Sequence, residues 1–238
     1  EALRVLIVGG RLQGVEIAFL ARQAGFHTVL VDRAPRVPAS GLVDRCVHAD
    51  VFDEPVMSAV FAQVDIVFPA IEDACVLERL IAYGRASGTP VVGDPRAYAI
   101  SSSKRRSNEL FDQVGICHPE AYPGCEFPVI VKPDGSSGSR GVVRAFSARE
   151  VEACTAGRQD ECVVQRYVEG RVLSMEVIGD GHTSTLLPIT EVCIAPDYDA
   201  ERIIAPASIT DEERRQFMWI GRRQNHWQTG PHRQGDSQ

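Results

Sequence analysis

Apolar stretches of strand length alternate with amphipathic stretches through the first ninety residues of the chain. Residues 3–8 are a continuous apolar run, residues 9–14 form a turn with three glycines, and residues 15–24 have the apolar spacing of a helix. The same alternation predicts strands at 27–31, 66–69 and 90–92 and helices at 54–63 and 73–87. Repeated β-α-β units predict a parallel sheet with helices on both faces.

The pattern changes after Gly93-Asp94-Pro95, where we place the end of an N-terminal domain, 1–95. One or two helices over 96–115 lead into a strand-rich region, and we assign 96–210 to a second domain, a smaller α+β unit of antiparallel strands. Its predicted strands are 127–132, 142–146, 162–168 and 172–178, with one helix near 147–155. The remaining segment, 211–238, is an atypical tail with no clean apolar period after Ile220, and we expect 222–238 to lack regular structure.

Charge and composition exclude several classes of protein. The formal net charge of −7 provides no global basic field for nucleic acid or an anionic membrane. Apolar runs such as 3–8 are far shorter than the roughly 20 residues of a membrane span, and no signal-like segment precedes the first strand, so we expect a cytoplasmic protein. Seven scattered cysteines without a C-x-x-C pair indicate buried free thiols rather than disulfides or a zinc site.

The basic residues are distributed unevenly between the two types. The chain has 23 arginines but only two lysines, Lys104 and Lys132, which hints that a compact ammonium is needed at those positions. Lys132 precedes a loop of glycines and serines, 134–141, whose backbone N–H groups and hydroxyls suit a polyphosphate. The lysine precedes the loop instead of following it, so a P-loop is not expected, and a simple hairpin turn remains the alternative.

A helix with a lysine, a glycine-rich hairpin with a second lysine and a strand ending in Tyr167-Val168-Glu169-Gly170 together resemble the nucleotide-binding half of the ATP-grasp superfamily. That resemblance implies a Rossmann-like pre-ATP-grasp domain, an ATP-grasp lid subdomain of α+β type and an incomplete C-terminal ATP-grasp subdomain. It also implies ATP and Mg²⁺ as cofactors. The residues that it assigns to ATP are Lys104, Lys132, Ser136, Ser137, Gly138, Gln165, Arg166 and Val168.

Further motifs resemble the amino-acid ligases of pyrrolysine biosynthesis. These are Gly9-Gly10-x-Leu12-Gln13-Gly14, Tyr98-x-Ile100-Ser101 and Ser174-x-Glu176-Val177. The resemblance implies an ATP-dependent ligase that joins 3-methyl-D-ornithine to the amine of L-lysine through an acyl phosphate, with small-molecule partners only and a dimer as an open alternative. The expected substrate residues are Arg11, Leu12, Gln13, Glu72, Asp73, Ser174 and Glu176. The first five follow predicted parallel strands, where open α/β sheets bind ligands, although Asp73 equally suits a helix N-cap.

Another ATP-grasp amino-acid or carboxylate–amine ligase is an alternative within the same family, and two other classes of function also remain open. The first glycine turn and Asp32 at the end of the second strand also suit an NAD(P)-dependent reductase, with the carboxylate on a ribose hydroxyl. A non-catalytic ligand-binding fragment is the second alternative, because no pair of metal-binding carboxylates is recognisable after Thr210. We leave the metal ligands unassigned, with Glu176 and Glu191 as candidates, and interpret the tail as the product of truncation or a frameshift or, alternatively, as a natural extension.

Overall fold

A computed structural model describes residues 2–136, 138–179, 183–196 and 198–228. The chain divides into two compact units, the first ending at Ala99 and the second beginning at Ile100. Within the described part, no helix is both long and apolar enough to cross a membrane.

The first unit is built on a four-stranded parallel sheet in the order β3-β2-β1-β4, which confirms the predicted architecture. Its strands are β1 (Arg4–Val8), β2 (His27–Asp32), β3 (Arg45–His48) and β4 (Ile66–Pro69). Its helices are α1 (Leu12–Gln23), α2 (Glu54–Phe61), α3 (Ala74–Ser87) and α4 (Pro95–Ser101), with a short 3-10 helix at Pro38–Gly41.

Alternate strand residues of this sheet enter two different cores. Leu6 and Val8 belong to a cluster with Met57, Phe61 and Leu80 from α2 and α3. The intervening residues of β1 belong to a second cluster, with Ala18 from α1 and Ala39 from the 3-10 helix. Because a strand points successive side chains to opposite sides, helical elements cover both faces of the sheet.

The second unit contains an antiparallel sheet in the order β6-β5-β7, formed by β5 (Val129–Pro133), β6 (Val143–Ala145) and β7 (Cys162–Arg166). Along the chain, helix α5 (Lys104–Val114) precedes β5, and helix α6 (Ala148–Thr155) comes between β6 and β7. A buried cluster joins one face of the sheet to α6 and contains Val129, Val131, Ala145, Val151 and Cys162.

Shorter strands and one long helix complete the described part of this unit. They are β8 (Val172–Ser174), β9 (Val177–Gly179), β10 (Ser184–Leu186), β11 (Thr190–Ile194), β12 (Ala200–Ile204) and α7 (Asp211–Gln228). The strands form a three-stranded sheet, β12-β11-β8, and a two-stranded sheet, β10-β9.

Two predicted elements differ from the structure, and four strands, β3, β10, β11 and β12, were not predicted. The segment 90–92 forms only an isolated bridge, in which Val91 pairs in parallel with Val67 of β4. The single strand predicted over 172–178 is two strands, because β8 pairs with β11 whereas β9 pairs with β10. Strand β3 pairs in parallel with β2.

Helix α7 extends into the segment for which we expected no regular structure, since it continues to Gln228. Thr210 and Glu213 bond reciprocally at its start: the Glu213 N–H donates to the Thr210 hydroxyl, and the Thr210 N–H donates to the Glu213 carboxylate. This capping-box pattern was readable in the sequence.

The cysteines differ in part from expectation. All seven are free thiols, but Cys46, Cys75 and Cys117 are exposed, so the prediction of buried thiols is wrong for these three. Cys75 and Cys46 lie on α3 and β3, on the solvent side of elements that are only partly covered.

Candidate functional site

A cavity of about 480 Å³ in the second unit brings together six of the eight residues that the sequence assigned to ATP. Gln165 does not line it, and Ser137 lies outside the described residues. The lining residues are Lys104, Pro119, Ile130, Lys132, Ser136, Gly138, Ser139, Val142, Arg166, Tyr167, Val168 and Tyr198.

Strand β5 forms one wall of the cavity because its residues alternate between two faces. Val129 and Val131 enter the buried cluster with α6. Ile130 and Lys132 therefore point to the opposite face, where both line the cavity. The apolar run of β5 thus buries one face of the sheet and directs a cation into the site.

The register of β5 with β7 separates the end of the cavity that contains Tyr167 and Val168 from the end that contains the two lysines. Arg166 pairs with Val129, and Tyr167 and Val168 continue beyond it, whereas Lys132 pairs with Val163. Three residues of strand separate the two positions, which corresponds to about 10 Å. We refer to the end near Tyr167 and Val168 as the aromatic end and to the end near Lys132 and Lys104 as the lysine end.

At the lysine end, Lys104 is bound to the backbone of the glycine and serine loop. Its Nζ donates to the carbonyl oxygens of Pro133, Asp134 and Ser136 at 2.9, 3.1 and 2.7 Å. An ammonium has three N–H donors, so these three bonds use all of them. Lys104 therefore fixes the start of the loop in this structure.

Asp134 binds the start of α5 from the loop side. One carboxylate oxygen accepts a hydrogen bond from the Arg105 N–H at 2.8 Å, and the other accepts one from the Ser103 hydroxyl at 2.8 Å. The Ser103 hydroxyl in turn accepts from the Arg106 N–H as the N-cap of α5. The start of α5 therefore donates both hydrogen bonds to the Asp134 carboxylate, and the loop accepts them.

The two lysines differ in their hydrogen bonding. No acceptor for Lys132 Nζ is found among the described residues, although the side chain is mostly buried. Burial lowers the pKa of Lys132, and the nearby Lys104 cation lowers it further. Burial also lowers the pKa of Lys104, opposed by the carboxylate of Asp134. A cation without an acceptor that has lost much of its water is a strong binding group for an incoming anion.

Three residues of β7 and its continuation, Gln165, Arg166 and Val168, were assigned to ATP and are placed differently from one another. Gln165 is 2% exposed, and its amide donates to the Pro119 carbonyl at 3.0 Å, so it supports a residue of the cavity wall. Arg166 lines the cavity while pairing with Glu120 at 2.8 Å. Val168 is 64% exposed beside the cavity.

The sequence assignments missed several lining residues, among them Tyr167, Ser139 and Tyr198. The Ser139 hydroxyl donates to the Tyr198 carbonyl, so the glycine and serine loop also contacts the turn between β11 and β12. Tyr198 lies 59 positions after Ser139, and no local signal in the sequence could place it at the cavity. Tyr167 did have a local signal, because it lies between Arg166 and Val168, which were both assigned to ATP.

In the first unit, β1 and β4 are neighbouring parallel strands, and the loops after them meet. The Gln13 amide donates to the Glu72 carboxylate at 3.2 Å, so the structure brings these two predicted substrate residues together. Arg11 and Leu12 are exposed beside them at the start of α1. The carboxylate of Asp73 accepts from the Val76 N–H as the N-cap of α3.

Side chains of Asp32 and Val37 lie directly against the glycine turn after β1. One oxygen of Asp32 accepts from the Gly10 N–H and the other from the Ala34 N–H, each at 2.8 Å. A Cβ at Gly10 would lie 2.1 Å from a methyl carbon of Val37. The carboxylate that the dinucleotide alternative assigned to a ribose thus holds the turn.

The remaining predicted residues do not reach the cavity. The Ser174 hydroxyl donates to Glu176 at 2.9 Å, and neither residue lines the cavity. Glu191 forms a two-pronged pair with Arg171, with bonds of 3.0 and 2.7 Å, and this pairing lowers the pKa of its carboxyl. Among the described residues no group of three His, Cys, Asp or Glu side chains could hold a metal ion.

Comparisons with known proteins agree with this geometry. A family model described as an ATP-grasp domain matches residues 101–219. The 3-methyl-D-ornithine–L-lysine ligase of Methanosarcina barkeri is 34% identical over 200 residues, which cover 84% of this chain and 54% of that protein. A formate-dependent phosphoribosylglycinamide formyltransferase of Solidesulfovibrio magneticus is 28% identical over 213 residues, covering 79% and 54% of the two chains. This chain therefore spans about half the length of these curated relatives.

A solved structure shows the same fold. The ADP complex of an N5-carboxyaminoimidazole ribonucleotide synthetase matches with a TM-score of 0.79 at 17% identity, covering 96% of this chain and 63% of that one. The predicted combination of a parallel N-terminal sheet with antiparallel ATP-grasp sheets is confirmed. By its matched domain and its fold, the chain belongs to the ATP-grasp family.

Proposed function

We propose that this chain is the nucleotide-binding part of an ATP-dependent carboxylate–amine ligase. The observation that supports the proposal best is the cavity with two lysines at one end and apolar and aromatic side chains at the other. This polarity suits a nucleoside triphosphate, with its phosphates at the lysine end and its base at the aromatic end. The glycine and serine loop covers the lysine end and offers backbone N–H groups to phosphate oxygens.

In the proposed reaction the γ-phosphoryl group of ATP passes to a substrate carboxylate, giving ADP and an acyl phosphate. An amine then attacks the acyl carbon, the C–N bond forms, and inorganic phosphate leaves. The chain contributes positioning and charge neutralisation, for which Lys132 and Lys104 are the cations at the lysine end of the cavity. No nucleophilic side chain is required.

The described residues do not provide a binding site for the divalent ion that typically accompanies ATP in this family. No Asp or Glu is among the described residues that line the cavity, and Glu191 is held by Arg171. Mg²⁺ usually takes one or two protein carboxylates in addition to phosphate oxygens. We therefore assign no step to a metal held by this chain.

For the substrates, we propose 3-methyl-D-ornithine and L-lysine, on the basis of the similarity to the Methanosarcina ligase. In the first unit, Gln13 and Glu72 offer a donor and acceptors that suit ammonium and carboxylate groups. The proposed partners are these small molecules, without nucleic acid. Consumption of ATP and free amino acids favours the cytoplasm, and free thiols suit its reducing conditions.

The proposal is tested first by binding. Calorimetric titration of the chain with ATP, ADP, NADH and NADP⁺ should show binding of the adenine nucleotides without nicotinamide, and tighter binding of NADH would refute it. Lys132→Ala should weaken ATP binding, whereas Arg149→Ala, at an exposed position of α6, should leave it unchanged.

Turnover separates the ligase from its second candidate, a nucleotide-binding fragment without activity. The absence of acidic side chains from the described cavity lining favours that candidate for this length of chain. Incubation with ATP, Mg²⁺, L-lysine and 3-methyl-D-ornithine should then give no sustained ADP or amide product. Sustained formation of both products would show that the chain is a complete ligase.

A further inference from the structure

Arg144 lies on the cavity face of the antiparallel sheet, although it was not among the residues assigned from the sequence. In the register of β6 with β5, Arg144 pairs with Ile130, and Ile130 pairs with Gln165 on the other side. Directly paired residues of neighbouring strands share a face. Arg144 therefore belongs to the same row as Ile130, which lines the cavity.

The guanidinium of Arg144 lies over two aromatic rings. Its Cζ is 3.9 Å from the centroid of the Tyr167 ring and 5.1 Å from that of Phe146. Both distances are within the range of attraction between a cation and a ring face. Tyr167 lines the cavity at its aromatic end, whereas Phe146 is 60% exposed.

The hydrogen bonding of Arg144 does not account for its placement. Its Nε is buried and has no hydrogen-bond partner in the described part of the chain. An unsatisfied buried donor is costly, so contacts elsewhere on the side chain must offset that cost. The stacking on Tyr167 is the closest such contact.

We propose that Arg144 is a positioning residue that holds the Tyr167 ring as the wall of the aromatic end, where it determines the affinity for the base of a nucleotide. This inference rests on the proposed nucleotide site. Arg144 acts through the ring, and the phosphates are bound by other cations at the lysine end. The consequence is that loss of Arg144 weakens recognition of the base and leaves recognition of the phosphates unchanged.

The test compares ATP with inorganic tripolyphosphate, which carries phosphates without a base, in calorimetric titrations of the full chain. Arg144→Met should weaken ATP binding by about threefold to thirtyfold, the range for a partly desolvated cation over a ring, and should leave tripolyphosphate binding within twofold. Arg144→Lys, which keeps a cation, should recover part of the loss. Lys132→Ala should weaken both ligands, and the exposed control Arg149→Met should weaken neither.

A double-mutant cycle without nucleotide tests the contact itself. Urea unfolding of Arg144→Met, Tyr167→Leu and the double variant should show non-additive stabilities, whereas Arg149→Met with Tyr167→Leu should be additive. Additivity at Arg144, or equal weakening of ATP and tripolyphosphate, would overturn the inference. Coupling in the cycle together with no ATP binding by the unmodified chain would instead overturn the proposed function.

Discussion

Replacing Lys132 by Met should make the chain more stable and a weaker binder of ATP. Lys132 places its ammonium on the cavity face of β5, with most of the side chain buried, without a hydrogen-bond acceptor among the described residues and close to the cation of Lys104. Met keeps an apolar stem of similar length and removes the charge. The free energy of unfolding should rise by about 0.5–2 kcal/mol, the range that is common for a single stabilising substitution.

The expected loss of binding follows from the same contacts. Because Lys132 has no acceptor to give up among the described residues, the full benefit of a charged hydrogen bond to phosphate, about 1.5–3 kcal/mol, should appear in the affinity. At about 1.4 kcal/mol per factor of ten, this corresponds to a roughly tenfold to 150-fold increase in the Kd for ATP. Lys104 must first release three carbonyl oxygens, so its replacement should cost less in affinity.

The pH dependence of stability gives an independent check. Because folding lowers the pKa of Lys132 below its ordinary 10.5, the unfolded chain binds the proton more tightly across the interval between the two pKa values. Stability should therefore rise with pH through that alkaline interval. In Lys132→Met the increase in stability with pH should be smaller. The increase that remains should come from Lys104, whose pKa is also lowered.

Urea unfolding at several pH values and calorimetric titration with ATP measure these effects, with Arg149→Met as the control. A Lys132→Met chain that is less stable, or that binds ATP as tightly as the unmodified chain, would refute the assignment of Lys132 as a phosphate-binding cation. The first result would mean that the ammonium is satisfied in the native state, and the second that the phosphates bind elsewhere.

Three further predictions concern other parts of the chain. Lys104→Ala should increase amide hydrogen exchange at residues 134–136 because its three contacts with loop carbonyls are lost, and unchanged exchange would show that the loop is ordered without Lys104. Arg4 lowers the pKa of Asp65 to about 2, so stability should fall as the pH drops from about 4 towards 2, and Asp65→Asn should flatten this part of a chemical-denaturation profile. Gly10→Ala should cost about 1–3 kcal/mol in urea unfolding because its Cβ would lie 2.1 Å from a carbon of Val37, and an unchanged midpoint would contradict the tight packing of the turn.

Sequence patterns predicted the sheets and much of the cavity because those features are local. The apolar run before Lys132 indicates a strand, and the glycines and serines after it indicate a loop at the end of that strand. Once the strand is placed, Lys132 and Ser136 must lie near each other. The same holds for the turns after β1 and β4, where neighbouring parallel strands bring Gln13 to Glu72.

Side-chain placements that depend on strand register could not be predicted from local sequence patterns. Gln165 lies on β7, but its side chain is buried and donates a hydrogen bond to the Pro119 carbonyl, so it does not line the cavity. Arg144 pairs with Ile130 only because β6 returns in one particular register after the loop. A shift of one residue would move Arg144 to the opposite face, and nothing local in the sequence fixes that choice.

The scarcity of lysine in this chain has a structural explanation at one of its two positions. Lys104 donates to three carbonyl oxygens within one short loop, and a tetrahedral ammonium can direct three N–H bonds toward acceptors that surround it. A guanidinium presents its donors in one plane and suits a carboxylate, as Arg171 does with Glu191. At Lys132 the described residues offer no acceptor at all, so the protein's own contacts give no preference for ammonium. The need for lysine at that position is therefore expected to come from the ligand. A Lys132→Arg chain should fold but bind ATP less tightly in calorimetric titration.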